Sequence, residues 1–80
     1  MAAARKTPDQ IRLGKAVRHV RSQVGMTQEQ LANKIDMHAT YISDIERGAR
    51  NPSWAAIARL ARGMGVGVAE IASAYDRRAK

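Results

Sequence analysis

The chain of 80 residues contains no cysteine, so neither disulfide bonds nor a thiolate zinc site can stabilise it. It has only two histidines, which lie far apart in the sequence and do not indicate a metal centre. No apolar run approaches the roughly 20 residues that a membrane-spanning helix requires. Residues 1–6 lack the apolar core of a signal peptide, so we expect a protein that is not exported and resides in the cytoplasm.

Acidic residues are scarce relative to basic ones. Seven Asp and Glu residues stand against 14 Lys and Arg residues, which gives a net charge of +7. A surplus of this size in one small domain indicates a polyanionic partner. No nucleophile has a neighbouring base, so the sequence predicts no enzymatic activity. It also predicts no metal, no cofactor, no small-molecule ligand and no membrane partner.

The apolar residues recur at helical spacing, and no alternating run of β-branched residues indicates a strand. Capping residues and glycines predict five short helices, at residues 8–23, 28–35, 39–47, 54–64 and from 68 to about 75. Trp54 is predicted to head the core-facing stripe of the fourth helix. A flexible basic arm at 1–6 and a basic tail at 76–80 are predicted to flank a single domain at 7–75.

The segment 27–46 places two short amphipathic helices on either side of a tight turn. Two helices with so short a connection must cross at a steep angle. Ile42 and Ile45 anchor the second of these helices, so its opposite side is predicted to be exposed and to carry short polar side chains. Such a helix on a basic protein fits the major groove of DNA, which is about 12 Å wide and admits one helix.

Several segments resemble the phage-repressor and Cro-type (XRE) family of helix-turn-helix proteins: LGKAVRHVR, MTQEQLA, TYISDIERG and NPS followed by IARLA. The resemblance spans about residues 11–71. It implies an all-α, five-helix, lambda-repressor-like domain whose helix-turn-helix motif lies at 27–46. The segment TYISDIERGARNPS is also similar to the controller proteins of restriction–modification systems.

The resemblance implies a sequence-specific transcriptional regulator of bacterial or phage origin. Such a protein binds a double-stranded, inverted-repeat operator as a homodimer, with its third helix in the major groove. The alternative is an antitoxin-type interaction protein that neutralises a toxin and regulates its own operon. Only residues 73–80 follow the matched segments, and they offer little toxin-binding surface.

The family pattern assigns roles to individual positions of this sequence. The base-facing positions are occupied by His38, Ala39, Thr40, Ser43 and Asp44. The positions that face the sugar-phosphate backbone are occupied by Gln28, Tyr41, Arg47, Arg50 and Asn51. An internal ion pair, structural rather than DNA-reading, corresponds to Arg21 and Glu46. The alternative for Gln28 is a first-turn polar residue without a DNA contact, and for the charged residues it is a solvated side chain.

Three further assignments also leave a second interpretation open. Asp44 either accepts a hydrogen bond from cytosine or orients Arg47. Tyr41 either bonds a phosphate or covers the edge of the core. His38 stands where the family often has a capping serine or threonine, so it either contacts DNA or is an exposed loop residue. Because 38–40 contain no arginine or glutamine reader, specificity is predicted to depend on DNA shape or on flanking arginines.

Other positions carry simpler expectations. Asp36 stands where the family usually has a glycine in the left-handed backbone conformation, which Asp tolerates better than most residues. Arg12 is predicted to add only to the general positive field, and Arg59 is predicted to be solvated. Arg5 and Lys6 of the arm are interpreted either as disordered or as phosphate contacts.

A single recognition helix contacts too few base pairs to discriminate against a whole genome. The resemblance to the family therefore implies a two-fold dimer whose recognition helices lie about 34 Å apart. Its interface is predicted at Val68, Ala72 and Tyr75, in the fifth helix. The alternative is that all of this apolar surface belongs to the core.

Overall fold

The computed structural model describes residues 6–78, which form five α-helices and no strand. The helices are α1 (Pro8–Gln23), α2 (Gln28–Lys34), α3 (Ala39–Glu46), α4 (Trp54–Met64) and α5 (Val68–Arg77). The predicted all-α, five-helix fold is confirmed, and every helix starts where the sequence places its start. None of the described helices is long and apolar enough to cross a membrane.

Side-chain caps fix the starts of three helices. Thr7 and Ser53 each accept a hydrogen bond of 3.1 Å from the third backbone N–H of the helix that follows. At α2 the cap is reciprocal: Thr27 Oγ1 accepts from the Gln30 N–H at 3.0 Å, and Gln30 Oε1 accepts from the Thr27 N–H at 2.9 Å. His38 precedes α3 without a capping side-chain bond. The start of α3 is therefore fixed by packing rather than by its cap.

Every helix contributes at least one fully buried aliphatic side chain to a single core: Val17, Leu31, Ile42, Ile45, Leu60 and Ile71. Burying a side chain of this size stabilises a fold by about 1.5–3 kcal/mol. Two of the six lie on α3, which is only eight residues long. The inner side of α3 is therefore held by the whole domain rather than by its neighbour α2 alone.

Gly14 allows α1 to lie directly on the C-terminal end of α3. A Cβ atom at this position would stand 2.3 Å from the carbonyl oxygen of Ile45 and 2.6 Å from that of Glu46. Gly48 then ends α3 with a φ of +77°, and a Cβ atom at this position would stand 2.9 Å from the α-carbon of Ile11. These two glycines bring the backbones of α1 and α3 into contact.

The turn between α2 and α3 is built on Asp36, which has a φ of 55°. The left-handed conformation expected at this position is thus adopted by a non-glycine residue, at a small steric cost. The N–H of Met37 donates to the carbonyl of Ala32 at 2.9 Å and closes the turn.

The structure corrects the prediction for Trp54, whose side chain is 69% exposed. Trp54 is the first residue of α4, and a helical side chain leans toward the N-terminus of its helix. Its ring therefore projects past the end of the core, although the rest of the predicted stripe, from Ile57 to Met64, does pack inward.

The C-terminal boundary also differs from the prediction. The predicted tail at 76–80 begins inside α5, which continues to Arg77. The side chains of Arg77 and Arg78 donate to oxygens one turn earlier in the helix, at 2.8 and 3.0 Å, and so extend it. Residues 1–5 of the predicted arm and the last two residues of the tail lie outside the described residues.

We expect Gly14→Ala to destabilise the protein by about 1–3 kcal/mol or more, because the added methyl group meets backbone that cannot move away. Chemical denaturation gives the free energy of unfolding. Gly67→Ala is the control: φ at Gly67 is −81° and the nearest atom to an added Cβ is 3.9 Å away. Equal losses in the two variants would contradict the close contact of α1 with α3.

Candidate nucleic-acid interface

The outer side of α3 carries a stripe of polar residues at helical spacing: Thr40, Ser43, Asp44 and Arg47. Thr40 and Arg47 are exposed, and the two residues between them are half-buried. Ala39, at the start of the helix, is half-buried, and His38, just before it, is exposed. The structure therefore brings all five residues with predicted base contacts to the surface of one short helix or its cap.

The inner end of α3 is held by Glu46, the only buried charged residue among residues 6–78. Its carboxylate accepts hydrogen bonds from Arg21 Nε at 2.6 Å and from Arg21 Nη2 at 2.9 Å. Gln28 Nε2 donates a third at 3.0 Å. The remaining Arg21 amino group donates to the carbonyl of Met26 at 2.8 Å. One carboxylate therefore joins α1, α2 and α3.

This pair is the one predicted for Arg21 and Glu46, and both side chains are mostly buried, with exposures of 13% and 4%. The hydrogen bonds to Glu46 raise the pKa of Arg21 above its usual value, so the guanidinium stays charged. The resemblance implied that Gln28 contacts a phosphate and also steadies the recognition helix. In the structure its amide holds Glu46, so Gln28 stabilises the position of α3 from the first turn of α2.

A second charged cluster lies at the outer, C-terminal end of α3. Asp44 forms ion pairs with Arg47 and Arg50, the latter with 3.5 Å between Asp44 Oδ2 and Arg50 Nε. The Arg50 guanidinium also stands over the ring of Tyr41, 5.4 Å from its centroid. Tyr41 is half-buried and packs against the core, while Asn51 is exposed in the following loop.

Comparison with known proteins identifies the family. The sequence profile described as "Helix-turn-helix domain" matches residues 12–74, which is most of the chain. The chain belongs to the helix-turn-helix family. The predicted resemblance is thereby confirmed, and the chain is a helix-turn-helix transcriptional regulator of the class that includes controller proteins and phage repressors.

Individual proteins that are similar to this chain are control or controller proteins. Control protein C.BamHI of Bacillus amyloliquefaciens is 50% identical over 54 residues, covering 66% of this chain and 67% of its own. The restriction–modification controller protein C.AhdI of Aeromonas hydrophila is 31% identical, with a TM-score of 0.77 over 81% of this chain and 98% of its own. The controller protein C.Esp1396I, solved as a tetramer with its natural operator, is 28% identical, with a TM-score of 0.82 over 89% of this chain and 93% of its own. These proteins are regulators rather than enzymes, in agreement with the prediction from the sequence.

Sequence reasoning missed a structural role of Arg59 in this helix-turn-helix domain. Arg59 Nη2 donates to the backbone carbonyl of Ile35 and, at 3.3 Å, to that of Asp36. These oxygens lie at the end of α2, where carbonyls have no partner within the helix. Arg59 is therefore not simply solvated: it ties α4 to the turn of the helix-turn-helix motif. No sequence signal marks it, because any exposed arginine looks the same in a helical pattern.

Tyr75 forms contacts that the sequence did not predict. Its hydroxyl donates to Asp9 Oδ1 at 2.9 Å, and the Arg12 guanidinium lies over its ring, 3.8 Å from the centroid. The hydrogen bond to Asp9 raises the pKa of Tyr75. Tyr75 thus joins α5 to the start of α1. Of the other predicted interface residues, Val68 is half-buried against the core and Ala72 is exposed.

We expect Arg21→Met to destabilise the domain by about 3–5 kcal/mol, because it leaves the buried carboxylate of Glu46 without a counter-charge. The double variant Arg21→Met, Glu46→Leu is expected to lose much less than the sum of the single losses. Chemical denaturation of all four proteins measures this coupling. Arg62→Met, on the exposed side of α4, serves as the control and is expected to change stability by about 0.5 kcal/mol or less. Additive losses at Arg21 and Glu46 would show that the pair is not coupled.

Proposed function

We propose that this protein is a sequence-specific regulator that binds an inverted-repeat operator as a homodimer, with α3 of each protomer in the major groove. The observation that carries the proposal is the division of α3 into two sides. Ile42, Ile45 and Glu46 fix its inner side in the domain, and the outer side presents short polar groups on a rigid support. A rigid helix of this kind can approach base edges closely and reproducibly.

Base contacts are proposed for His38, Ala39, Thr40 and Ser43. Methyl groups of Ala39 and Thr40 suit the methyl group of thymine, and the hydroxyls of Thr40 and Ser43 can donate or accept. The His38 side chain makes no capping bond, which leaves it available to DNA. Since hydroxyls discriminate weakly between bases, part of the specificity is proposed to come from DNA shape.

Backbone contacts are proposed for residues around the end of α3 and for the first turn of α2. Arg47 and Arg50 are more than half exposed and provide positive charge on the same side as the α3 stripe. Asn51 and the Tyr41 hydroxyl can each donate to a phosphate oxygen. Because the side chain of Gln28 is bound to Glu46, its proposed phosphate contact is made by the backbone N–H.

The proposal of a homodimer is supported by the small size of the recognition surface and by the relatives. A single eight-residue helix contacts only a few base pairs, whereas two helices related by a two-fold axis contact two half-sites. C.Esp1396I binds its operator as a tetramer, and C.BamHI and C.AhdI are control proteins. We therefore infer a controller-type role for this chain. Val68 and Ala72 are proposed as interface residues, with the exposed part of the Tyr75 ring.

Selection of bound sequences from a random DNA pool tests this function directly. We expect the wild-type protein to enrich a palindrome whose half-sites lie one or more helical turns apart, about 10 base pairs per turn. Thr40→Ala is expected to change the enriched base at one position of each half-site, whereas Ser73→Ala, which removes a hydroxyl from α5, is expected to enrich the wild-type sequence.

Each outcome of the selection bears on a separate part of the proposal. No enrichment at all would refute sequence-specific binding. An unchanged sequence for Thr40→Ala would refute its base contact. Sedimentation of the wild-type protein with the enriched duplex is expected to show two chains per palindrome; a single bound chain would refute the homodimer while leaving specificity intact.

Arg50→Ala is expected to weaken binding to all DNA sequences alike, because Arg50 is assigned to a phosphate. The slope of log K against log salt is expected to decrease in magnitude by about one unit. Titrations at several salt concentrations measure both quantities. Arg62→Ala, which removes an equal charge from α4, is expected to leave the slope nearly unchanged. A change in base preference for Arg50→Ala would instead indicate direct base contact.

A further inference from the structure

The Asp44 carboxylate is an unexpected group on a surface that faces DNA. It lies on the outer stripe of α3, between Ser43 and Arg47, so DNA bound there brings phosphates close to a negative charge. Its side chain is only 18% exposed because two arginines cover it. Oδ1 is bound by Arg47 Nη2, and Oδ2 lies 3.5 Å from Arg50 Nε. Both oxygens therefore face a guanidinium group, although a carboxylate has about four acceptor sites and these contacts do not occupy all of them.

The arginines that cover Asp44 are those proposed to bind phosphates. Their side chains are 58% and 56% exposed, so DNA can reach them. One carboxylate between two guanidinium groups lowers the local charge from +2 to +1. Each guanidinium carries five N–H donors, so both can hold Asp44 and still offer donors to a phosphate. The orientation of those donors is then set by Asp44 and, for Arg50, by the ring of Tyr41.

This arrangement affects two kinds of DNA complex differently. Non-specific binding depends almost entirely on phosphate neutralisation, in many registers and with loosely placed cations. A lower local charge and a fixed orientation of the guanidinium donors therefore weaken non-specific binding. In a specific complex the base contacts of α3 fix the register, so phosphates can meet donors that are already oriented and lose little rotational freedom on binding. The Asp44 carboxylate thus weakens non-specific binding more than it weakens specific binding.

We propose that Asp44 increases sequence discrimination without reading a base, by holding Arg47 and Arg50 in one orientation and reducing their attraction for phosphates that are not in register. Asp44 is then a positioning residue that acts through two arginines. The proposal rests on the function proposed above, since it assumes that α3 and the arginines that follow it meet DNA. Of the two interpretations of Asp44 given by the sequence, it adopts the orientation of Arg47, extends it to Arg50 and adds an effect on discrimination.

The test compares binding of the enriched palindrome with binding of a scrambled duplex of equal length and composition. Asp44→Asn keeps the shape of the side chain and removes its charge. We expect affinity for the scrambled duplex to rise about tenfold and affinity for the palindrome to rise about threefold or less. The ratio of the two affinities is therefore expected to fall at least about threefold. The salt dependence of binding to the scrambled duplex is expected to steepen.

Two further variants separate local positioning from overall charge. Asp76→Asn makes the same charge change on the exposed side of α5, so it is expected to raise both affinities slightly and equally. Asp44→Glu keeps the charge on a longer side chain that still reaches both arginines, and it is expected to retain most of the discrimination. None of the three changes removes a side chain from the apolar core, so all three variants are expected to fold, which circular dichroism checks.

Three results would overturn the proposal. Equal changes for Asp44→Asn and Asp76→Asn would show that only net charge matters. A loss of palindrome binding by Asp44→Asn that is recovered by changing one base pair of each half-site would show that Asp44 reads that base. Loss of discrimination in Asp44→Glu equal to that in Asp44→Asn would exclude the charge as its cause. Failure of the proposed function is distinguishable from all three, because the wild-type protein itself would then bind both duplexes equally.

Discussion

The geometry of the surface that we propose faces DNA depends on one buried carboxylate. Glu46 accepts hydrogen bonds from Arg21 on α1 and Gln28 on α2, and Arg21 also binds the carbonyl of Met26 just before α2. Replacing a buried ion pair with apolar side chains is often neutral or even favourable for stability. The effect of this network is better understood as positional: it sets the angle and depth of α3 relative to the two helices that support it.

The two ends of α3 show two uses of charge. At the inner side, the Glu46 carboxylate accepts hydrogen bonds from Arg21 and Gln28 inside the domain, and these bonds hold the helix in place. At the outer side, Asp44 is paired with Arg47 and Arg50, whose side chains are more than half exposed. The eight residues of α3 thus supply the carboxylates of one ion pair that organises the fold and of another that we propose modulates contact with DNA. The two ion pairs differ in burial. A pair whose arginines are exposed is screened by solvent and contributes little to stability.

The fold could be predicted almost entirely from local signals. Caps such as Thr27 and stops such as Gly48 determine helix limits within one turn, and apolar spacing identifies the core side of each helix. What could not be predicted depends on neighbours distant in sequence. Trp54 follows the apolar spacing but extends past the end of the core, Arg59 meets carbonyls of another helix, and Tyr75 meets Asp9, 66 positions away. In the site, family positions located the α3 stripe, but the internal partners of its polar groups emerged only with the fold.

The exposed position of Trp54 has a practical consequence for spectroscopy. The chain has one tryptophan, and its indole is already surrounded mostly by water in the folded protein. Its emission spectrum will therefore shift little when the domain unfolds, and intrinsic fluorescence is a poor reporter of folding here. The same indole follows the Arg50–Asn51 loop by only three residues, so a change in its emission on mixing with a duplex reports on that loop and not on the core.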